Sequence, residues 1–123
     1  MEFDPLSKKA IGVAIEVHRE LGPGLLESVY EKCLVHEMLE SGLYCVSQVP
    51  IPVTYKGREL DCGYRIDILV EDRLMLELKS VDALQRIHEA QTLTYMKLAN
   101  VPQALLINFN NVRLKDGLKR LVL

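Results

Sequence analysis

The sequence predicts an α/β fold of the α+β kind, with helices laid against a sheet. Three observations predict it. Up to Gly42 the apolar residues recur at helical spacing. From Val46 the period changes to two, as in half-buried strands. The segments then follow in the order α-α-β-β-β-α-β, with a short tail, which is the order of a sheet flanked by helices. A length of 123 residues suits one domain, 1–123, and neither a repeat nor a linker interrupts it.

Asp4-Pro5 starts the first helix, because Asp can cap it and Pro fits its first turn. In PLSKKAIGVAIEVHREL the inner stripe is Ile11, Ala14, Ile15, Val17, His18 and Leu21, and Gly-Pro-Gly at 22–24 breaks the helix. LLESVYEKCLVHEMLESG is the second helix, with Leu26, Val29, Tyr30, Cys33, Leu34 and Met38 inward and Gly42 ending it. VSQVPIPVTYKG reads as a strand whose Pro50 and Pro52 suit an edge or a bulge. Lys56-Gly57 turns it, RELDCGYRIDILV returns, Glu71-Asp72-Arg73 turns again, and LMLELKS is the third strand. A helix from about Asp82 to Asn100 follows, with Asp82 as its cap, then the strand QALLINF after Pro102 and a further strand in GLKRLVL.

Charge and cysteine content narrow the function classes. Fifteen Lys and Arg against 17 Asp and Glu give −2, which excludes a polycation that coats nucleic acid but leaves room for a local basic channel. Cys33, Cys45 and Cys62 form no CxxC pair, so neither a disulfide framework nor a zinc site is expected, and reduced thiols point to a cytoplasmic protein. The acidic N-terminus lacks the apolar run of a signal peptide, and no stretch approaches the ~20 apolar residues of a membrane helix.

The chemistry is concentrated in YRIDILVEDRLMLELKS, residues 64 to 80. A three-residue turn, Glu71 to Arg73, pairs Val70 with Leu74 and sets Asp67 opposite Glu77. It also makes one face a clean apolar row: Ile66, Ile68 and Val70 with Leu74, Leu76 and Leu78. A two-residue turn would put Asp67 opposite Leu76 instead, an acid on the leucine face. The sequence therefore prefers the register that brings two carboxylates together. At cross-strand separations of ~4.5–5.5 Å they repel and raise each other's pKa unless a cation lies between them. A hard divalent ion is the usual partner, and Lys79 on the same face could hold or deprotonate a water, the equipment of phosphodiester hydrolysis. The alternative for these residues is a solvated outer face carrying an Arg65–Glu77–Lys79 charge cluster.

Two further stretches bear on the choice. GLLESVY places Glu27 three residues before Tyr30 early in the second helix. QTLTY places Gln91 and Tyr95 one turn apart, on a face shared with Leu84 and His88. His18, His36 and His88 have no metal-binding spacing; His36 is expected at the surface, and His88 is the one on the Gln91 side.

GLLESVY resembles the pattern of the GxxExxY protein family, and Asp67, Glu77, Lys79, Gln91 and Tyr95 together resemble the motif set of the PD-(D/E)XK nuclease superfamily in its exonuclease-like branch. The resemblance runs from about Leu6 to Leu123; it departs at Ile66, where the superfamily's name has proline. It implies a restriction-endonuclease-like core with a mixed central sheet. It implies Mg2+ or Mn2+ held by Asp67, Glu77 and the backbone carbonyl of Leu78, with Glu27 as a helix-borne acid beside the ion. Lys79 would orient or activate the attacking water, making Lys79, Glu27, Asp67 and Glu77 the catalytic set. Gln91, Tyr95 and Tyr30 would touch nucleic acid, most simply DNA, and a homodimer would place two sites on two strands. The competing function is a nucleic-acid- or protein-binding module that keeps the fold without cleavage.

Overall fold

The computed structural model describes residues 4–123. Helix α1 (Pro5–Leu21) starts where expected: Asp4 caps it, its carboxylate accepting from the Ser7 N–H at 2.9 Å. After Gly22–Gly24, helix α2 (Glu27–Glu40) runs to Gly42, which takes a left-handed φ of 79° that glycine adopts without strain. The strands are β1 (Cys45–Pro50), β2 (Val53–Tyr55), β3 (Arg58–Leu60), β4 (Arg65–Val70) and β5 (Leu74–Lys79). Helix α3 (Arg86–Ala99), β6 (Gln103–Asn108), a short 3-10 turn and β7 (Leu118–Val122) complete the chain.

The main sheet has the order β1-β4-β5-β6-β7. Only β5 and β6, joined through α3, are parallel, so the sheet is mixed and the α+β, restriction-endonuclease-like class stands. The expected three strands before α3 are five. The run RELDCGYRIDILV is divided by a turn in which Asp61 accepts from the Gly63 N–H at 2.9 Å, and Pro52, with no N–H, lies where VSQVPIPVTYKG divides. The freed pieces, β2 and β3, form a separate hairpin turned by Lys56 and Gly57, both at positive φ.

Both faces of the main sheet are covered. Ile68, Val70, Leu74, Leu76 and Leu78 pack with Ala10, Ala14 and Val17 of α1 and Tyr30, Leu34 and Met38 of α2. Met75 and Ala104, on the other face, pack with Met96 of α3. In α1 Ile15 faces solvent rather than the core, and in α2 Leu26 and Val29 do, because the buried stripe is set by Tyr30, Leu34 and Met38 at a spacing of four. Helix α3 begins at Arg86, not Asp82. Gln85 is its cap, with its N–H donating to Nδ1 of His88 at 3.0 Å, while Asn108 holds Val81 in the preceding loop. Leu84 therefore lies ahead of the helix rather than on its Gln91 face.

Candidate active site

The β4–β5 turn has three residues, and Glu71 and Asp72 both take positive φ there. Val70 pairs with Leu74, Leu69 with Met75 and Ile68 with Leu76, so the next step of that register faces Asp67 with Glu77. At that step side chains replace the ladder. Asp67 Oδ2 accepts from the Leu78 N–H at 2.8 Å, and Glu77 Oε1 accepts from the Asp67 N–H at 3.3 Å. The two acids are cross-strand neighbours, each tied to the other's strand.

Their surroundings contradict the solvated-face alternative. Glu77 is only 5% exposed, and Asp67 is half-buried beside the start of α2. Burial, then the neighbouring charge of Asp67, pushes the Glu77 carboxyl up to about 8. Burial also raises Asp67 against the lowering effect of the Leu78 N–H and the Lys79 charge. Neither acid enters an ion pair among the described residues. A buried carboxylate and a half-buried one that repel each other, with no cation bonded to them, are costly, and a positive ion relieves that cost.

Lys79, at the end of β5, favours the charged form of both acids. Glu27 stands at the first position of α2, exposed, with its carboxylate accepting from the Ser80 N–H at 3.0 Å; its negative charge also raises Asp67. Glu27 lines a cavity of about 320 Å³ together with Ser28, Glu31, Gln48, Asp67 and Leu78. A second opening of about 570 Å³ lies on its other side, lined by Gly24–Ser28, Ser80 and Asn110. Asp67 thus opens onto the cavity beside the start of α2, with Glu77 buried behind it.

Tyr95 is half-buried; burial, then the charge of Glu77, raises its phenol. Gln91 is exposed rather than inward, and its amide donates to the Tyr95 hydroxyl at 3.0 Å. The buried positions of α3 are Thr92 and Met96, one residue further round.

Tyr30 does not fit a nucleic-acid contact. It is fully buried, its ring is stacked on Phe109 at 4.3 Å, and its hydroxyl donates to the Gly22 carbonyl and accepts from the Leu25 N–H. It fastens the loop before α2, and so helps to fix where Glu27 lies. His88 is spent on the α3 cap, and His18 is buried with Nε2 2.8 Å from the Asn111 carbonyl oxygen.

Three residues of this region carried no sequence expectation. Glu31 lies one turn after Glu27 and so shares its face; burial raises its carboxyl, and it accepts from the Gln48 amide. Gln48 stands opposite Asp67 in the β1–β4 register but drops out of the pairing, with φ at 55°. Asn108 is buried at the end of β6, where it accepts from the Val81 N–H and donates to the Val81 carbonyl, fixing the chain just after Lys79. Only the Glu27–Glu31 spacing was a usable signal; the unpaired Gln48 and the buried amide depend on tertiary pairing.

The oxygen donors suit a small, hard divalent cation. Among the described residues no three His, Cys, Asp or Glu side chains converge into a ready-made cage. Two carboxylates and a main-chain carbonyl are the sparse set with which Mg2+ keeps much of its water, so the residues fit such an ion. No helix among the described residues is long and apolar enough to cross a membrane. Comparison with curated proteins gives no match, and comparison with solved structures gives none. A family model does match, over residues 4–121, and members of that family generally use divalent metals. The chain belongs to the PD-(D/E)XK nuclease superfamily.

Proposed function

We propose that this chain is a divalent-metal-dependent nuclease that hydrolyses phosphodiester bonds of DNA, built as one domain over 1–123 and belonging to the GxxExxY branch. The observation that carries this reading is the Asp67–Glu77 pair, tied across the β4–β5 strands with Glu77 buried, Asp67 half-buried and Lys79 two residues on from Glu77. Asp67, Glu77 and the Leu78 carbonyl would hold Mg2+ or Mn2+, with Glu27 close enough to bias Asp67. Such an ion supplies Lewis-acid polarisation of a phosphodiester oxygen.

The chain's own residues do the rest. Lys79 orients the attacking water or takes its proton, for which its place beside both carboxylates suits it. Gln91 and Tyr95, bonded to each other at the cleft's edge, meet the nucleic-acid backbone. Tyr30 and Asn108 keep the loops on either side in place. The free cysteines suit work in the cytoplasm, and a homodimer would serve the cutting of two strands.

The test is cleavage and melting measured together. With millimolar Mg2+ or Mn2+, oligonucleotide cleavage is expected, and EDTA should abolish it. Binding of the ion to the folded state alone should raise the melting temperature by the equivalent of ~2.7 kcal/mol at a hundredfold excess over Kd. Asp67→Ala should lose both effects. A melting shift without cleavage of any DNA or RNA would instead favour the binding module.

A further inference from the structure

Around Gln91 and Tyr95, α3 carries a largely apolar surface whose other members, Ile87 and Tyr64, have no part in the chemistry above. Ile87, Gln91 and Tyr95 stand at successive turns, a stripe separate from the buried Thr92 and Met96. Ile87 is 65% exposed. Facing them is Tyr64, just ahead of β4 and 41% exposed, with its ring tilted 45° to that of Tyr95 at 5.4 Å. The Tyr64 backbone is fixed, since its carbonyl accepts from the Ile51 N–H at 2.9 Å. Tyr64, Ile87, Ala90, Gln91, Thr94 and Tyr95 enclose a hollow of about 270 Å³.

None of those six side chains is charged at neutral pH. The hollow therefore offers no counter-charge to a phosphate or to a charged peptide side chain. Two aromatic rings, an isoleucine and one amide suit a flat, uncharged ring with a polar edge. The formal charge of −2 also denies the protein a general electrostatic pull on nucleic acid, so affinity must come largely from elsewhere.

Resting on the nuclease reading, we propose that the Tyr64–Ile87 hollow takes an unpaired nucleobase, and that the substrate is therefore single-stranded nucleic acid or a frayed end. A base within a duplex is stacked on its neighbours and cannot enter; an unpaired one can lie against the tyrosine.

The test uses the full chain with Lys79→Met, which keeps the proposed ion ligands but lacks the proposed water-activating group. Binding is followed in Mg2+ by fluorescence anisotropy. The probes are labelled oligo(dT), a duplex of equal length, and an abasic strand with the same phosphates. Tighter binding of oligo(dT) than of duplex is expected. Adding Tyr64→Ala should weaken oligo(dT) binding by about 5- to 150-fold, the range for one stacked base, and leave the abasic strand unchanged. Tyr64→Phe should retain the affinity, since stacking needs only the ring. Equal binding of oligo(dT) with and without Tyr64→Ala, or a preference for duplex, would overturn the inference and leave the nuclease reading standing. Binding of none of the three probes would overturn both.

Discussion

Lys79→Met is expected to lower phosphodiester cleavage by about two to four orders of magnitude, the usual span for losing a positioned proton-transfer group. It should still gain thermal stability on addition of Mg2+. The two outcomes separate because Lys79 acts on the water, whereas Asp67 and Glu77 hold the ion. Methionine keeps much of the length of lysine, and Lys79 enters no ion pair among the described residues. Loss of fold is therefore not an expected cause. Turnover numbers and melting curves on the same preparations check both halves. Cleavage undiminished in Lys79→Met would remove the lysine from the mechanism.

The second large effect concerns pH. In the folded protein Glu77 keeps its proton up to about 8, first because it is buried and then because Asp67 is beside it, while its ordinary value is 4.5. Between those two values the folded state binds more protons than the unfolded chain, so stability falls as pH rises through that window. Asp67, also raised by burial, acts in the same direction. Each unit of separation corresponds to about 1.4 kcal/mol. Without metal, the wild type should thus melt highest in mild acid and progressively lower towards pH 8. Glu77→Gln should flatten that fall and melt higher than the wild type in alkaline buffer. Metal affinity should run the other way, rising with pH towards about 8, because the ion and the proton compete for the same carboxylate. Melting curves across pH, with EDTA and with Mg2+, measure all of this. A wild-type stability that does not vary between pH 5 and 8 would contradict the burial of an unrelieved acid pair.

Much of this site was legible in the sequence, for a local reason. The β4–β5 hairpin is short, and only a three-residue turn gives its strands one wholly apolar face. The register, and with it the meeting of Asp67 and Glu77, followed from seventeen contiguous residues, 64 to 80. The caps and stops of α1 and α2 were local too, resting on Asp4, Pro5 and the glycines.

What was not legible depends on distant partners. The burial of Glu77 requires α3 to cover the second face of the sheet, and alternation within the hairpin does not carry that information. Asn108 holds Val81 across 27 positions, so a helix expected at Asp82 begins at Arg86. The motif resemblance sets Tyr30 against nucleic acid, but the ring is buried. Its spacing from Leu34 and Met38 was the better guide, because it places the ring in the core, where the hydroxyl holds the Gly22–Leu25 loop.

Anomalous X-ray scattering from crystals soaked in Mn2+ would show whether Asp67 and Glu77 share a divalent ion. One manganese peak is expected in contact with both carboxylates and the Leu78 carbonyl, with Lys79 close by. A map with no peak at that place, and with Asp67 and Glu77 still bonded to the Leu78 and Asp67 N–H groups, would contradict it.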